Sequence, residues 1–350
     1  MPSIYNRDSL RANVEAATGG KITVLYTAKG QPSYMHVVSA FNADDVEPGL
    51  AAGLHPMFMT NGQAKTERFI GAYPGVVRNG ELISLPGEDP AASANFDTFL
   101  AQARANGPGW GLMTNMDWSG LGLWCRKNGF VPRGNTNYGK SSDAPWETGV
   151  RGDGGLPGNT SGIARTQAGS GPTSWRHDNT HAGIADLVGN VWEWSPGLRL
   201  VDGEIQVIAD NNAASSTIDL SAASSEWRAI DGATGALVTP GSANTVKIAS
   251  SGTAAYTLVA SSGGAFQSMT NPGTTPVAEA ALKVLKLHGI YPVGADLGGD
   301  GIWFTLDGER VPYRGGVWNY GERAGVFAVN LYYARSNVNA SIGARPAFSL

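Results

Sequence analysis

Gly183-Ile184-Ala185-Asp186-Leu187-Val188-Gly189-Asn190-Val191-Trp192-Glu193-Trp194 concentrates two glycines, a polar pair and two indoles in one short run. The glycines permit tight backbone turns, and Trp192 and Trp194 can plug a core that loops alone cannot fill. Asn190 and Glu193 suit either of two roles. They can bond backbone groups and so define a turn, or join backbone carbonyls around a hard cation such as calcium.

The rest of the composition fits such a segment. The chain has 350 residues, 48 of them glycine, about twice the usual share of ~7%, and only 15% are charged. With 42% hydrophobic residues and 10 tryptophans it can repay the entropy of folding, so disorder is excluded. Such a length buries enough surface for one large domain or two modest ones. A net charge of -4 gives no electrostatic footprint for nucleic acid. Cys125 is the single cysteine, which excludes an intramolecular disulfide and a Cys-rich zinc site; it reads as a small buried hydrophobe. The opening Met1-Pro2-Ser3-Ile4-Tyr5-Asn6-Arg7-Asp8 has no basic stretch followed by an apolar run, so no signal peptide is expected. No apolar run is long enough to span a membrane. A soluble, reduced chain made in the cytoplasm is expected, released by lysis or a dedicated export route if it acts outside.

Residues 1–50 read as a short helix/hairpin unit, either a docking or assembly segment or an ordinary first hairpin of the main domain. Asp8 or Ser9 caps a helix to Ala17, Gly19-Gly20 stops it, and Lys21–Tyr26 and Ser33–Val38 form a hairpin. In the main part, 51–350, Asn61-Gly62 marks a turn between strands. Phe96, Phe99, Leu100 and Ala103 share one helical face, and Thr114 with Asp117 resembles a capping box opening a second helix toward Gly129. Residues 131–180 predict a long ordered loop anchored by Trp146 and Trp175. A β-rich insert spans about 200–275, and Val277–Leu287 predicts a helix closed by His288-Gly289.

Three chemical motifs need weighing. Gly134-Asn135-Thr136-Asn137-Tyr138-Gly139-Lys140-Ser141 matches the phosphate-loop letters, but the flanks Val131-Pro132-Arg133 and Ser142-Asp143-Ala144-Pro145 suit neither the strand nor the helix that the chemistry needs. His177 and His181 have helical metal-ligand spacing in a non-helical context, without the general-base glutamate. Arg151-Gly152-Asp153 is an adhesion-type tripeptide of little weight. A metal- or nucleotide-dependent enzyme using the 131–195 loops is the alternative these motifs leave open.

The Gly189–Trp194 run closely resembles the Gly-Asn-Val-Trp-Glu-Trp signature of the formylglycine-generating enzyme (sulfatase-modifying factor) family, a variant of the C-type lectin fold. Arg314-Gly315-Gly316-Val317-Trp318, Ala334-Arg335-Ser336-Asn337 and Ile342-Gly343-Ala344-Arg345 extend the resemblance, and Leu112–Trp118 looks like its degraded helix-opening motif. The matches span most of 55–350 except the insert. The family's enzymes use two cysteines after the Arg-Gly-Gly segment. Tyr320 and Gly325 stand at the matching places, so no thiol is there to carry that chemistry. An enzyme is not expected.

The chain also resembles the variable proteins of diversity-generating retroelements, which display a rewritten C-terminal segment on this lectin-like fold. That resemblance implies a variable region at about 311–350. Gly315, Gly316, Trp318, Gly325, Phe327, Leu331, Arg335, Ile342, Gly343 and Arg345 would be scaffold. Val317, Asn319, Tyr320, Glu322, Arg323, Ala328, Asn330, Tyr332, Tyr333, Asn337, Val338, Asn339 and Ala340 would form the ligand-binding surface. Alternation supports part of this division: a strand would bury Phe327, Val329 and Leu331 and present Ala328, Asn330 and Tyr332. Tyrosine and asparagine also suit a recognition surface.

The expectation is an α+β, loop-rich, C-type lectin-like domain without catalytic residues. It would bind a cell-surface protein or glycan, with no cofactor beyond the calcium alternative, no nucleic acid and no membrane insertion. A phage or prophage receptor-binding protein on a tail or fibre fits best, a cell-surface protein being the other location. Homo-oligomeric display would raise avidity. A non-diversified structural virion protein is the remaining alternative.

Overall fold

The computed structural model describes residues 8–350; the signal-peptide reading rests on positions 1–7, outside the described residues. Asp8 caps α1 (Ser9–Thr18) by accepting from the Arg11 N–H, and Gly19 at φ 61° ends it, as the sequence predicts. Ile22–Tyr26 and Pro32–Ser39 form the antiparallel hairpin. That hairpin does not stand alone. Pro32–Ser39 pairs with Glu67–Gly71, then Pro346–Phe348 and Trp110–Leu112 complete a five-stranded sheet, so the first and last segments share one layer.

After the one-turn α2 (Ala43–Val46), Asn61 (φ 52°) and Gly62 (φ 70°) make the expected two-residue turn between Met59–Thr60 and Gln63–Ala64. α3 (Phe96–Arg104) buries Phe96, Phe99, Leu100 and Ala103, the face read from their spacing. In α4 (Asn115–Lys127) the Thr114–Asp117 capping box is formed in both directions. Asp117 also takes a two-point contact from buried Arg68, at 3.0 and 2.7 Å, which ties the start of α4 to the first sheet.

Residues 198–259 supply most of a second, seven-stranded sheet. Glu309–Arg310 pairs with Leu198–Val201 at its edge. Leu198, Leu200, Ile205 and Val207 pack there with Ala281, Leu282 and Leu285 of α5 (Glu279–Leu287).

The third sheet positions the functional segment. Its order is Gly264–Ala265, Gly301–Phe304, Val329–Leu331, Tyr313–Arg314, Trp192–Trp194, Ile342–Gly343. The tail thus threads this sheet three times and encloses the tryptophan strand. The molecule mixes helix and sheet and is rich in loops.

Two expectations fail. Trp146 is 79% exposed and anchors nothing, whereas Trp175 is buried with its indole N–H on Glu147. The alternation around 329 also fails. Val329–Leu331 is an inner strand with partners on both edges and packing on both faces, so Ala328 and Asn330 are buried along with Val329 and Leu331, and Phe327 is only partly covered. The period-two argument assumes one wet face, and this strand has none because core packing covers both.

Candidate functional site

Three arginines, Arg314 and Arg345 buried and Arg335 half-buried, hold the tail on the body. In the strand Trp192–Trp194 alternation sends both indoles to one side and Glu193 to the other. Glu193 there accepts from Arg345 at 2.7 and 2.9 Å, and Arg345 also donates to the carbonyls of Gly71 and Ala185. Burial raises the Glu193 pKa, and the Arg345 charge opposes that. Arg314 donates to the Asn115 side-chain oxygen at 2.6 and 3.0 Å and to the Gly289 carbonyl at 2.9 Å. Burial pulls its pKa down to about 9, so it remains charged at neutral pH. Arg335 grips Glu309 at 2.6 and 3.0 Å and reaches Asp97 and the Leu220 carbonyl.

Asn190 acts as a piece of backbone. Its amide oxygen accepts from the Thr166 N–H at 2.8 Å, and its amide nitrogen donates to the Thr166 carbonyl at 3.0 Å. Gly189 has φ 70°, and a Cβ there would fall 2.0 Å from the Asn135 carbonyl oxygen. The oxygens that suggested calcium, on Asn190 and Glu193, are therefore engaged with Thr166 and Arg345.

The tail residues named from sequence divide into three groups. Asn319, Glu322, Arg323, Tyr332, Tyr333 and Val338 are exposed; Tyr320, Asn337, Asn339 and Ala340 are half-buried. Val317, Ala328 and Asn330 are buried and offer no side-chain surface. Asn339 closes its own turn, accepting from the Ser341 N–H and hydroxyl. The Ala340 carbonyl accepts from Arg165, itself held by Asp89. Arg323 donates to the Gly263 carbonyl.

Aromatic contacts join the exposed rings to the signature. Tyr332 meets Tyr333 edge-on at 5.1 Å, and Tyr333 stacks on buried Tyr313 at 6.2 Å. Tyr313 contacts both Trp192 (5.2 Å) and Trp194 (5.1 Å). From Trp192 the series continues to Tyr320 at 5.4 Å and Trp303 at 5.5 Å, which also touch each other. Burial raises the Tyr320 pKa, so its hydroxyl stays protonated. Large rings wedged edge-to-face give a rigid contact surface at low entropic cost. The sequence reading missed Trp303. Its Gly-Ile-Trp-Phe run signals a strand, but only the parallel pairing of Trp303 with Asn330 places it beside the tail.

The other motifs are held in structural roles. His177 is buried, its Nδ1 accepting from the Ile184 N–H, while exposed His181 lies against the Ala17 carbonyl. The two rings engage different backbone groups. The 134–141 run is an irregular loop with no helix after it, and its Asn135 amide contacts Ala164 and Gly139. In Arg151-Gly152-Asp153 the arginine is buried under the Asn159 and Ser161 carbonyls and paired with Asp153. That hydrogen bond holds Asp153 down at about 2. Cys125 is buried and its pKa is pushed far up, the opposite of an activated thiol.

No family model matches the chain, and no curated protein matches it. Among solved structures it is similar to one titled Major Tropism Determinant M1 Variant, with TM-score 0.33 and 14% identity over 94% of this chain and 71% of that one. The U1 Variant gives TM-score 0.33 and 13% identity over the same shares. The P3c Variant gives 0.31 and 13% over 93% of this chain and 71% of its own.

Proposed function

We propose that this chain is a receptor-binding display protein of a phage or prophage virion, built on a C-type lectin-like scaffold of the formylglycine-generating enzyme type. Its C-terminal surface would be rewritten by a diversity-generating retroelement. The observation that carries this reading is the ring series: exposed Tyr332 and Tyr333 are braced through Tyr313 on Trp192 and Trp194, within a tail fixed by Arg314, Arg335 and Arg345. A surface fixed in this way can change side chains without moving its backbone, which favours specificity over adaptability. The partner would be a protein or glycan on a cell surface, engaged by Tyr320, Tyr332, Tyr333, Asn319 and Val338, with oligomeric display supplying avidity. Among the described residues no helix is long and apolar enough to cross a membrane.

Two measurements test it. Labelled protein should bind a subset of bacterial strains, and Y332A/Y333A should lower that binding at least tenfold with unchanged circular dichroism; undiminished binding would refute the surface. The neighbouring DNA should hold a reverse transcriptase and a near-copy of the codons for 311–350, differing mainly at adenines. Absence of both would remove diversification and leave a fixed virion protein.

A further inference from the structure

A cavity of about 450 Å³ opens between the end of α4, the 129–143 loop, residues 296–300 and the tail segment 322–327. Its walls are largely apolar, with Phe130, Val131, Pro132, Val188, Leu297 and Phe327 among them. Two arginines line it, and both are engaged. Arg126 is paired with Glu47 at 2.6 Å and Asp296 at 3.1 Å, and Arg133 is paired with Glu147. Three carboxylates in the lining, Asp143, Asp300 and Glu322, have no ion-pair partner among the described residues.

Asp300 is the group on which the site depends. It is only 6% exposed, yet no side chain donates to either of its oxygens. The Phe327 N–H bonds its Oδ2 at 2.7 Å. At Gly325 a Cβ would lie 1.8 Å from Oδ1, so glycine is what leaves the carboxylate its place. Burying an acid without a cation is costly unless something supplies one. Burial, with a smaller push from Asp143, raises its pKa to about 7.

We propose that this cavity is a binding site for an organic cation, an ammonium or guanidinium carried on an apolar stem. The carboxylates select the charge, and the apolar walls select the stem. The volume is that of a small-ligand pocket. A bare metal ion suits it less, because no group of three or more potential ligands converges among the described residues. Tyr320, Tyr332 and Tyr333 do not line it, although Glu322 of the same tail does.

Calorimetry on the full chain tests this with phenethylamine, the neutral 2-phenylethanol and the anionic phenylacetate. Phenethylamine should bind saturably, the alcohol at least tenfold more weakly, and phenylacetate not at all. D300N should weaken phenethylamine at least tenfold, and D143N, at the exposed rim, about threefold. Binding should tighten from pH 6 to 8 as Asp300 loses its proton, facing Asp143, Asp296, Glu322, Arg126 and Arg133. Nα-acetyl-arginine methylamide binding tighter than phenethylamine would assign a partner's side chain as the source; the reverse would assign a free amine. Equal binding of amine and alcohol, no amine binding at 10 mM, or indifference to both substitutions would overturn the proposal. Y332A/Y333A should leave amine binding unchanged, which separates this test from that of the receptor surface.

Discussion

Glu193 and Arg345 are 152 positions apart and both almost fully buried, so each is stable there only because of the other. Removing one partner strands a charge. R345A should therefore lose about 3–5 kcal/mol in urea denaturation. A loss below 1 kcal/mol would mean that the pair does not hold the tail. Asp300 gives the opposite sign. Its folded pKa, about 7, lies above the unfolded value of ~3.9, so its contribution is full below about pH 4 and lost as pH rises through 7. D300N should abolish that slope, making the variant relatively more stable than the parent at pH 8 than at pH 4. At this scale the sequence was half legible. Glu193 and Arg345 each stood out within a motif, but their pairing depends on the parallel register of Ile342–Gly343 against Trp192–Glu193, which no local pattern encodes.

Elements with their own local signals were legible: α1 through Asp8 and Gly19, α4 through its capping box, the 59–64 hairpin through Asn61-Gly62. These depend on neighbours in sequence. The tail strand Val329–Leu331 depends on neighbours in space: Gly301–Phe304 and Tyr313–Arg314 pair with its two edges, and core packing covers the face that alternation had assigned to solvent. This division has a direct consequence for substitution. A328Y and N330Y should cost more than about 2 kcal/mol by overpacking, whereas Y332A and V338N should stay within about 0.5 kcal/mol of the parent. Thermal and urea melts of the four variants check it, and equal losses at all four would refute the assignment of exposed and inner positions.

Across the whole molecule, four of the five histidines are buried and neutral. Burial pulls His36 and His288 down to about 4 and His55 and His177 to about 3. The unfolded chain takes up protons near pH 6.5 and the folded one does not, so their contribution is present above that pH and lost as pH falls toward 4. Each group is worth up to roughly 1.4 kcal/mol per pH unit in that window. The urea midpoint should fall between pH 6.5 and 5, and H36Q should flatten the slope. A midpoint constant over that range would show that these rings reach solvent. Composition foretold a loop-rich, aromatic-pinned body, but could not foretell that its histidines serve as packing.

The strand Pro346–Phe348 lies inside the first sheet, between Glu67–Gly71 and Trp110–Leu112. A ribosome delivers it after the whole of 311–345, so the sheet that seats the amino-terminal hairpin cannot close until that stretch has been translated in frame. A stop codon or frameshift arising anywhere in that stretch leaves two strands with unpaired edges. Chains ended at residue 345 should appear only in the insoluble fraction. The fold thereby checks its own reading frame: only a chain translated through this strand can close the first sheet.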